Sequence, residues 1–173
     1  MKKRIIFFDG DGTLWYPKAT RHSEAPHWIY HNKKTSRNPN KHLILTPTML
    51  ETLKELKKRG IITVILSTHP QTPKIAEKLI KKKIKHFNLH GLFDEVHATK
   101  NYYKSKGEFI LEILKRIKIP KKYALMIGDS YVYDYKPAKE IGIDAILIDN
   151  PYNKHPNFHK VRNKIKKLKE ILD

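Results

Sequence analysis

The feature that most constrains the fold is an alternation of short apolar runs with amphipathic segments. Residues 4–9 (RIIFFD), 61–66 (IITVIL), 123–127 (YALMI) and 144–149 (DAILID) are apolar, rich in β-branched residues and bounded by turn signals. That pattern suits strands buried on both faces. Residues 95–98 form a weaker fifth candidate. Between these runs the period changes. Residues 48–59 place Leu50, Leu53 and Leu56 on one side and meet Gly60 as a stop. Residues 73–83 open with Pro73, favourable in a first helical turn, and residues 106–118 set Phe109, Ile110, Ile113, Leu114 and Ile117 on one face. Strand and helix in alternation predict an α/β fold, a mostly parallel Rossmann-like sheet of about five strands in a three-layer arrangement. In such a sheet ligands bind at the carboxyl ends of the strands.

Two segments stand outside the rhythm. Residues 17–42 are polar, basic and rich in histidine, with three prolines and the aromatics Trp28 and Tyr30. They read as an inserted loop or flap, too short for an independent cap domain. Residues 156–173 carry Val161, Ile165, Leu168 and Leu172 at helical spacing, which predicts a terminal helix across the sheet.

A chain of 173 residues suits a single domain over 1–173. Lys and Arg number 36 against 17 Asp and Glu, a formal charge of +19. Such a field attracts nucleic acids, phosphorylated metabolites, acidic proteins or lipid head groups without choosing among them. A lysine-rich surface of the kind found in heat-adapted proteins accounts for it equally well. The absence of cysteine excludes disulfides, thiolate catalysis and zinc–thiolate sites. The apolar runs are too short to span a bilayer and the N-terminal stretch lacks a signal-peptide core, so a soluble cytoplasmic protein, monomeric or homo-oligomeric, is expected.

Polar residues gather at the predicted strand ends. The first strand runs into Asp9-Gly10-Asp11-Gly12-Thr13, the second into Ser67 and Thr68, and a later one into Gly128 and Asp129, with Asp134 five residues on. An Asp-Gly turn explains the first of these only as geometry. Four carboxylates on one rim repel one another unless a cation is present. Oxygen ligands without cysteine point to a hard cation, most simply Mg²⁺ shared with a substrate phosphate. A lysine near residues 102–109 (YYKSKGEF), Lys106 or Lys104, would add positive charge for that phosphate, with Lys100 a more distant candidate.

These residues, in this order, resemble the haloacid dehalogenase-like superfamily of phosphohydrolases. The first motif of that family, D-x-D-x-T, is matched by Asp9, Asp11 and Thr13, and the second, a Ser or Thr after an apolar strand, by Ser67. A lysine opening a helix is the third, for which Lys106 is preferred over Lys104, and Gly128, Asp129 and Asp134 match the fourth. The resemblance covers roughly residues 4–148, apart from 17–42. It implies a Mg²⁺-dependent phosphatase in which Asp9 attacks phosphorus and Asp11 serves as general acid and base. The metal would be held by the Asp9 side chain, the Asp11 backbone carbonyl and Asp129. Ser67, Thr68 and Lys106 would hold the phosphoryl oxygens, Asp134 would orient the lysine or the metal's waters, and Thr13 would support the turn.

A carboxylate at position 11 disfavours dehalogenase and P-type ATPase chemistry within that superfamily. The short connections look like the capless branch that includes the magnesium-dependent phosphatases. An open site admits small or large phosphorylated substrates, nucleic-acid ends among them. A basic nucleic-acid-binding protein without turnover is the rival reading. His27 and His31 are expected to be surface residues rather than metal ligands, and His69 is a candidate substrate contact.

Overall fold

A computed structural model describes residues 3–100 and 105–172. The main sheet has six parallel strands: β1 (Ile5–Phe8), β4 (Ile62–Thr68), β5 (Glu95–Thr99), β6 (Ala124–Gly128), β7 (Asp144–Ile148) and β8 (Lys164–Ile165). Their spatial order is β5-β4-β1-β6-β7-β8. A separate antiparallel pair joins β2 (Trp15–Pro17) to β3 (Leu43–Leu45). The helices are α1 (Met49–Lys58), α2 (Pro73–His86), α3 (Lys106–Arg116), α4 (Lys136–Glu140) and α5 (Pro156–Lys160).

The continuous apolar run of β1 is explained by burial on both faces. Successive side chains of a strand point to opposite sides. Ile6 and Phe8 therefore join a core with Leu53 and Leu56 of α1 and Ala76, Ile80 and Ile84 of α2. Ile5 and Phe7 face the other way, into a core with Ile110, Ile113 and Leu114 of α3 and Ala138 of α4. The result is the three-layer α/β arrangement. Each fully buried phenylalanine contributes about 1.5–3 kcal/mol over exposure.

β1 pairs in parallel with β4 on one side and with β6 on the other. The chain order reverses at this strand, so a crevice opens at its carboxyl end, directly at Asp9.

The predicted terminal helix is not formed. α5 stops at Lys160, Val161 turns to extended backbone, and Lys164–Ile165 adds a sixth strand to the edge of β7. The amide groups of Leu147 and Asp149 donate to Asn163 and Ile165 at 3.0 and 2.8 Å. Covering an exposed sheet edge outweighs helical periodicity here. Ile165 and Leu168 still reach the core, as strand and 3-10 turn rather than as one helical stripe.

Residues 17–42 are more ordered than a loop. They lie between β2 and β3 and contain 3-10 turns over Pro26–Tyr30 and Pro39–His42. Ile29 is fully buried, and the Trp28 indole donates to Thr20 Oγ1 at 3.0 Å. Among the described residues no helix is long and apolar enough to cross a membrane.

Candidate functional site

The turn after β1 places Asp9 and Asp11 in different surroundings. The Asp9 amide donates to Ile127 at 2.9 Å, which keeps it in the sheet, and its carboxylate accepts from Lys106 Nζ at 2.5 Å. Lys106 also donates to Asp134 at 2.5 Å and is itself almost fully buried. It arrives there as the first residue of α3, whose start is fixed by a reciprocal cap between Ser105 and Glu108. Lys104, the alternative, lies outside the described residues.

Carboxylate oxygens of Asp9, Asp129 and Asp134 all lie within 4.8 Å of one another. Burial, then the neighbouring Asp9 and Asp134 charges, push the Asp129 carboxyl well above its ordinary range. Burial is also the main cause that lifts Asp134, to about 6, against the opposing pull of Lys106. Tyr152 donates a short hydrogen bond to Asp129 Oδ2, while Asn150 and Asn153 each donate to the Asp129 carbonyl at 3.1 Å. This group of buried oxygens is under-neutralised by one ammonium. Its chemistry fits a hard divalent cation such as Mg²⁺, with Asp9, Asp129 and Asp134 as candidate ligands.

Asp11 does not join that group. Its carboxylate turns into a cage of donors: Trp15 Nε1 at 2.6 Å, Tyr30 hydroxyl at 2.9 Å, and Lys83 Nζ at 2.8 and 3.0 Å. Lys83 donates further to the Tyr30 hydroxyl at 2.6 Å and lies over the Trp15 and Tyr30 rings. Burial acts to raise the Asp11 carboxyl, yet Lys83 and the other donors outweigh it and hold the group below its ordinary range. The expected four-carboxylate rim is therefore three carboxylates plus a separately neutralised fourth.

Two glycines beside these carboxylates are required by close approach. At Gly12, where φ is +89°, an added Cβ would stand 2.5 Å from both Asp129 Oδ2 and the Tyr152 hydroxyl. At Gly128 it would stand 2.2 Å from Asp134. Gly10 is different, since a Cβ there meets Ser67 Oγ and Trp15 at 3.4 Å, ordinary contact.

Ser67 is buried at the end of β4 beside Gly10, and Thr68 follows it at the mouth of an adjoining cavity. Thr13 is fully buried; its carbonyl accepts from Thr46 Oγ1 at 2.6 Å, which ties the turn to the segment after β3. The cavity, about 730 Å³, lies between residues 26–40 and the face formed by the end of β4 and α2. It shares Asp11 and Thr68 with the site, and His27, His31, His69 and Lys100 also line it. Lys83, Tyr152 and the two asparagines escape a motif reading. Lys83 had a signal, because it shares the buried face of α2 with Ala76, Ile80 and Ile84.

Sequence comparison agrees with this geometry. The profile of the haloacid dehalogenase-like hydrolases matches residues 11–148, and the chain belongs to that family. It is 30% identical over 147 residues to the glyceraldehyde 3-phosphate phosphatase of Methanocaldococcus jannaschii, covering 83% of this chain and 60% of that protein. The glyceraldehyde 3-phosphate phosphatase of Pyrococcus furiosus is 25% identical over 162 residues, covering 86% and 63%. The chain thus spans less than two thirds of either relative. Among solved structures, a haloacid dehalogenase-like protein of Streptococcus pneumoniae superposes with a TM-score of 0.70 at 19% identity, covering 98% of this chain and 97% of that one. A phosphatase of the same family from Thermococcus onnurineus gives 0.67 at 19% identity, covering 99% and 98%. These two likenesses concern the fold.

Proposed function

We propose that this chain is a Mg²⁺-dependent phosphatase that hydrolyses phosphomonoesters through a phosphorylated Asp9. The observation that carries this reading is the Asp9 carboxylate at the topological switch point, 2.5 Å from buried Lys106 and grouped with Asp129 and Asp134. Asp9, Asp129 and Asp134 would hold the metal, with the Asp11 carbonyl as the further ligand that the family resemblance implies. Bound there, the ion would neutralise charge between an anionic nucleophile and an anionic phosphate.

Asp9 Oδ attacks phosphorus while the bond to the leaving oxygen breaks, and that oxygen takes a proton from Asp11. Water then attacks the phosphorus of the aspartyl-phosphate, Asp11 takes its proton, and inorganic phosphate departs from Asp9. The paired, ionised Asp11 is the form suited to the second step. A phosphate entering beside Asp11 competes for Lys83 and raises the Asp11 carboxyl towards the protonated form that the first step uses. Ser67, the Thr68 amide and Lys106 hold the phosphoryl oxygens as charge shifts onto them. Asp134 orients Lys106, and Thr13 braces the turn.

Residues 17–42 serve as a flap of the single domain 1–173, carrying Tyr30 to Asp11. The cavity's size favours a small phosphorylated molecule over a nucleic-acid end. Phosphate release from p-nitrophenyl phosphate tests the mechanism. Wild-type turnover that requires Mg²⁺, lost in Asp9→Asn, is expected; an active Asp9→Asn protein refutes the phosphoenzyme. Salt-sensitive RNA or DNA binding without phosphate release would favour the nucleic-acid-binding rival.

A further inference from the structure

The cavity beside Asp11 carries more positive charge than the proposed reaction uses. Lys83 is committed to Asp11, the only carboxylate among the described lining residues. Arg37, from the flap, and Lys82, from α2, also line the cavity, and both are exposed. Neither side chain makes a hydrogen bond or ion pair with another described residue. Two cations without counter-charge, on separate elements facing one cavity, form an anion-selective wall.

The uncharged wall narrows the ligand further. His69 Nδ1 accepts from the Gln71 amide at 3.2 Å, so in the neutral ring the proton sits on Nε2, free to donate. Burial lowers the His69 imidazole from its ordinary range, which favours that neutral ring. A cavity of about 730 Å³ suits a small molecule rather than a polymer. Asp11 lines the cavity and, in the proposed reaction, protonates the leaving oxygen, so the leaving group is the part of a substrate that would enter it.

We propose that this cavity binds a leaving group bearing its own anionic group, a carboxylate or a second phosphate, and that Arg37 and Lys82 are the residues that read that charge. The inference rests on the phosphatase reading and specifies its substrate class.

The test compares kcat/KM for glycerol 1-phosphate, 3-phosphoglycerate and 1,3-propanediol bisphosphate. At least one of the two anionic leaving groups should exceed the neutral one by tenfold or more, and the better arm identifies carboxylate or phosphate. In Arg37→Gln/Lys82→Gln that ratio should fall about tenfold or more, towards unity, at least the scale of one charge-assisted hydrogen bond. Lys54→Gln/Lys58→Gln, which removes the same net charge from α1, should keep the ratio. Equal kcat/KM for all three substrates, or an equal fall in both double variants, overturns the proposal.

Calorimetry separates this failure from failure of the phosphatase reading. With Mg²⁺ present, 3-phosphonopropionate should bind the wild-type chain at least tenfold more tightly than propylphosphonate. Equal affinities overturn the anion site whether or not the protein turns over any ester.

Discussion

Replacing Lys83 with methionine gives the sharpest test of the cage around Asp11. The substitution keeps the length and apolar stem of the side chain and removes its ammonium. Lys83 and Asp11 have side chains only 6% and 9% exposed, so Asp11 would be left as a buried charge without its ion-pair partner. Breaking one side of a buried pair costs about 3–5 kcal/mol. Trp15 and Tyr30 still donate to the carboxylate, which places the expected loss near the lower end, at about 3 kcal/mol. For a chain of this length that is a fall in Tm of about 6–12 °C.

Calorimetric melting at pH 7, with chelator to exclude metal, is the assay. The double variant Lys83→Met/Asp11→Asn should recover much of the loss, because it removes the stranded charge as well. pH supplies an independent check. In the wild-type chain Asp11 lies below its ordinary 3.8, so its stabilisation is present above that value and is lost as pH falls through the depressed one. Without Lys83 the burial that dominates at Asp11 is unopposed by its main partner, and the carboxyl rises. The variant therefore loses stability as pH rises through that raised value, and its gap to wild type narrows in acid. A gap below about 1 kcal/mol at pH 7, or strictly additive effects in the double variant, would refute the assignment of Lys83 as Asp11's buried counter-charge.

Other perturbations follow from the same geometry. Gly12→Ala should lower Tm and weaken Mg²⁺ binding, since its Cβ would collide with Asp129 and Tyr152 at a positive φ, whereas Gly10→Ala should melt near wild type in the same scan. Tyr152→Phe removes a donor to Asp129 and should raise the Mg²⁺ concentration for half-maximal activity by roughly tenfold. Asp134 titrates near 6 and Asp129 is also raised, so the metal-free protein should lose stability as pH climbs from about 4 to 6. Saturating Mg²⁺ should flatten that slope, and its binding near pH 6 should release protons, detectable by calorimetry in buffers of different ionisation heat.

The central sheet was legible because two-sided burial writes a strand as a continuous apolar run: Ile5–Phe8, Ile62–Thr68 and Ala124–Gly128 fall within a residue or two of the runs read from sequence. β8 was not, because Val161, Ile165 and Leu168 repeat at helical spacing while the deciding influence, the open edge of β7, is tertiary. Residues such as Asp9, Ser67, Lys106 and Asp129 could be read because strand ends and a helix start fix where they project. The cage around Asp11 was harder. Lys83 sits in a run of three lysines, and only its place on the apolar side of α2 separates it from Lys81 and Lys82. Tyr152 follows β7 in a turn with no periodicity, so nothing local marks it as a partner of Asp129.

The two aspartates of the first turn illustrate why a strongly basic chain keeps acids at the edge of its core. Asp9 and Asp11 are two residues apart, yet each has its own buried lysine, from a different helix on a different side of the sheet. Lys106 is shared with Asp134 and is one ammonium among three carboxylates, a deficit that the proposed Mg²⁺ would make good. Lys83 is shared only with neutral Trp15 and Tyr30 and leaves the Asp11 carboxylate neutralised, apart from the three grouped carboxylates. Burial raises a carboxyl in both places; the surplus or deficit of lysine decides which acid stays ionised. The division of labour proposed for these aspartates thus depends on residues far from both in sequence. Exchanging Lys83 for a neutral side chain should disturb Asp11 while leaving the Asp9–Asp129–Asp134 group able to bind Mg²⁺, and a matched loss of Mg²⁺ affinity in calorimetry would show that the two environments are one.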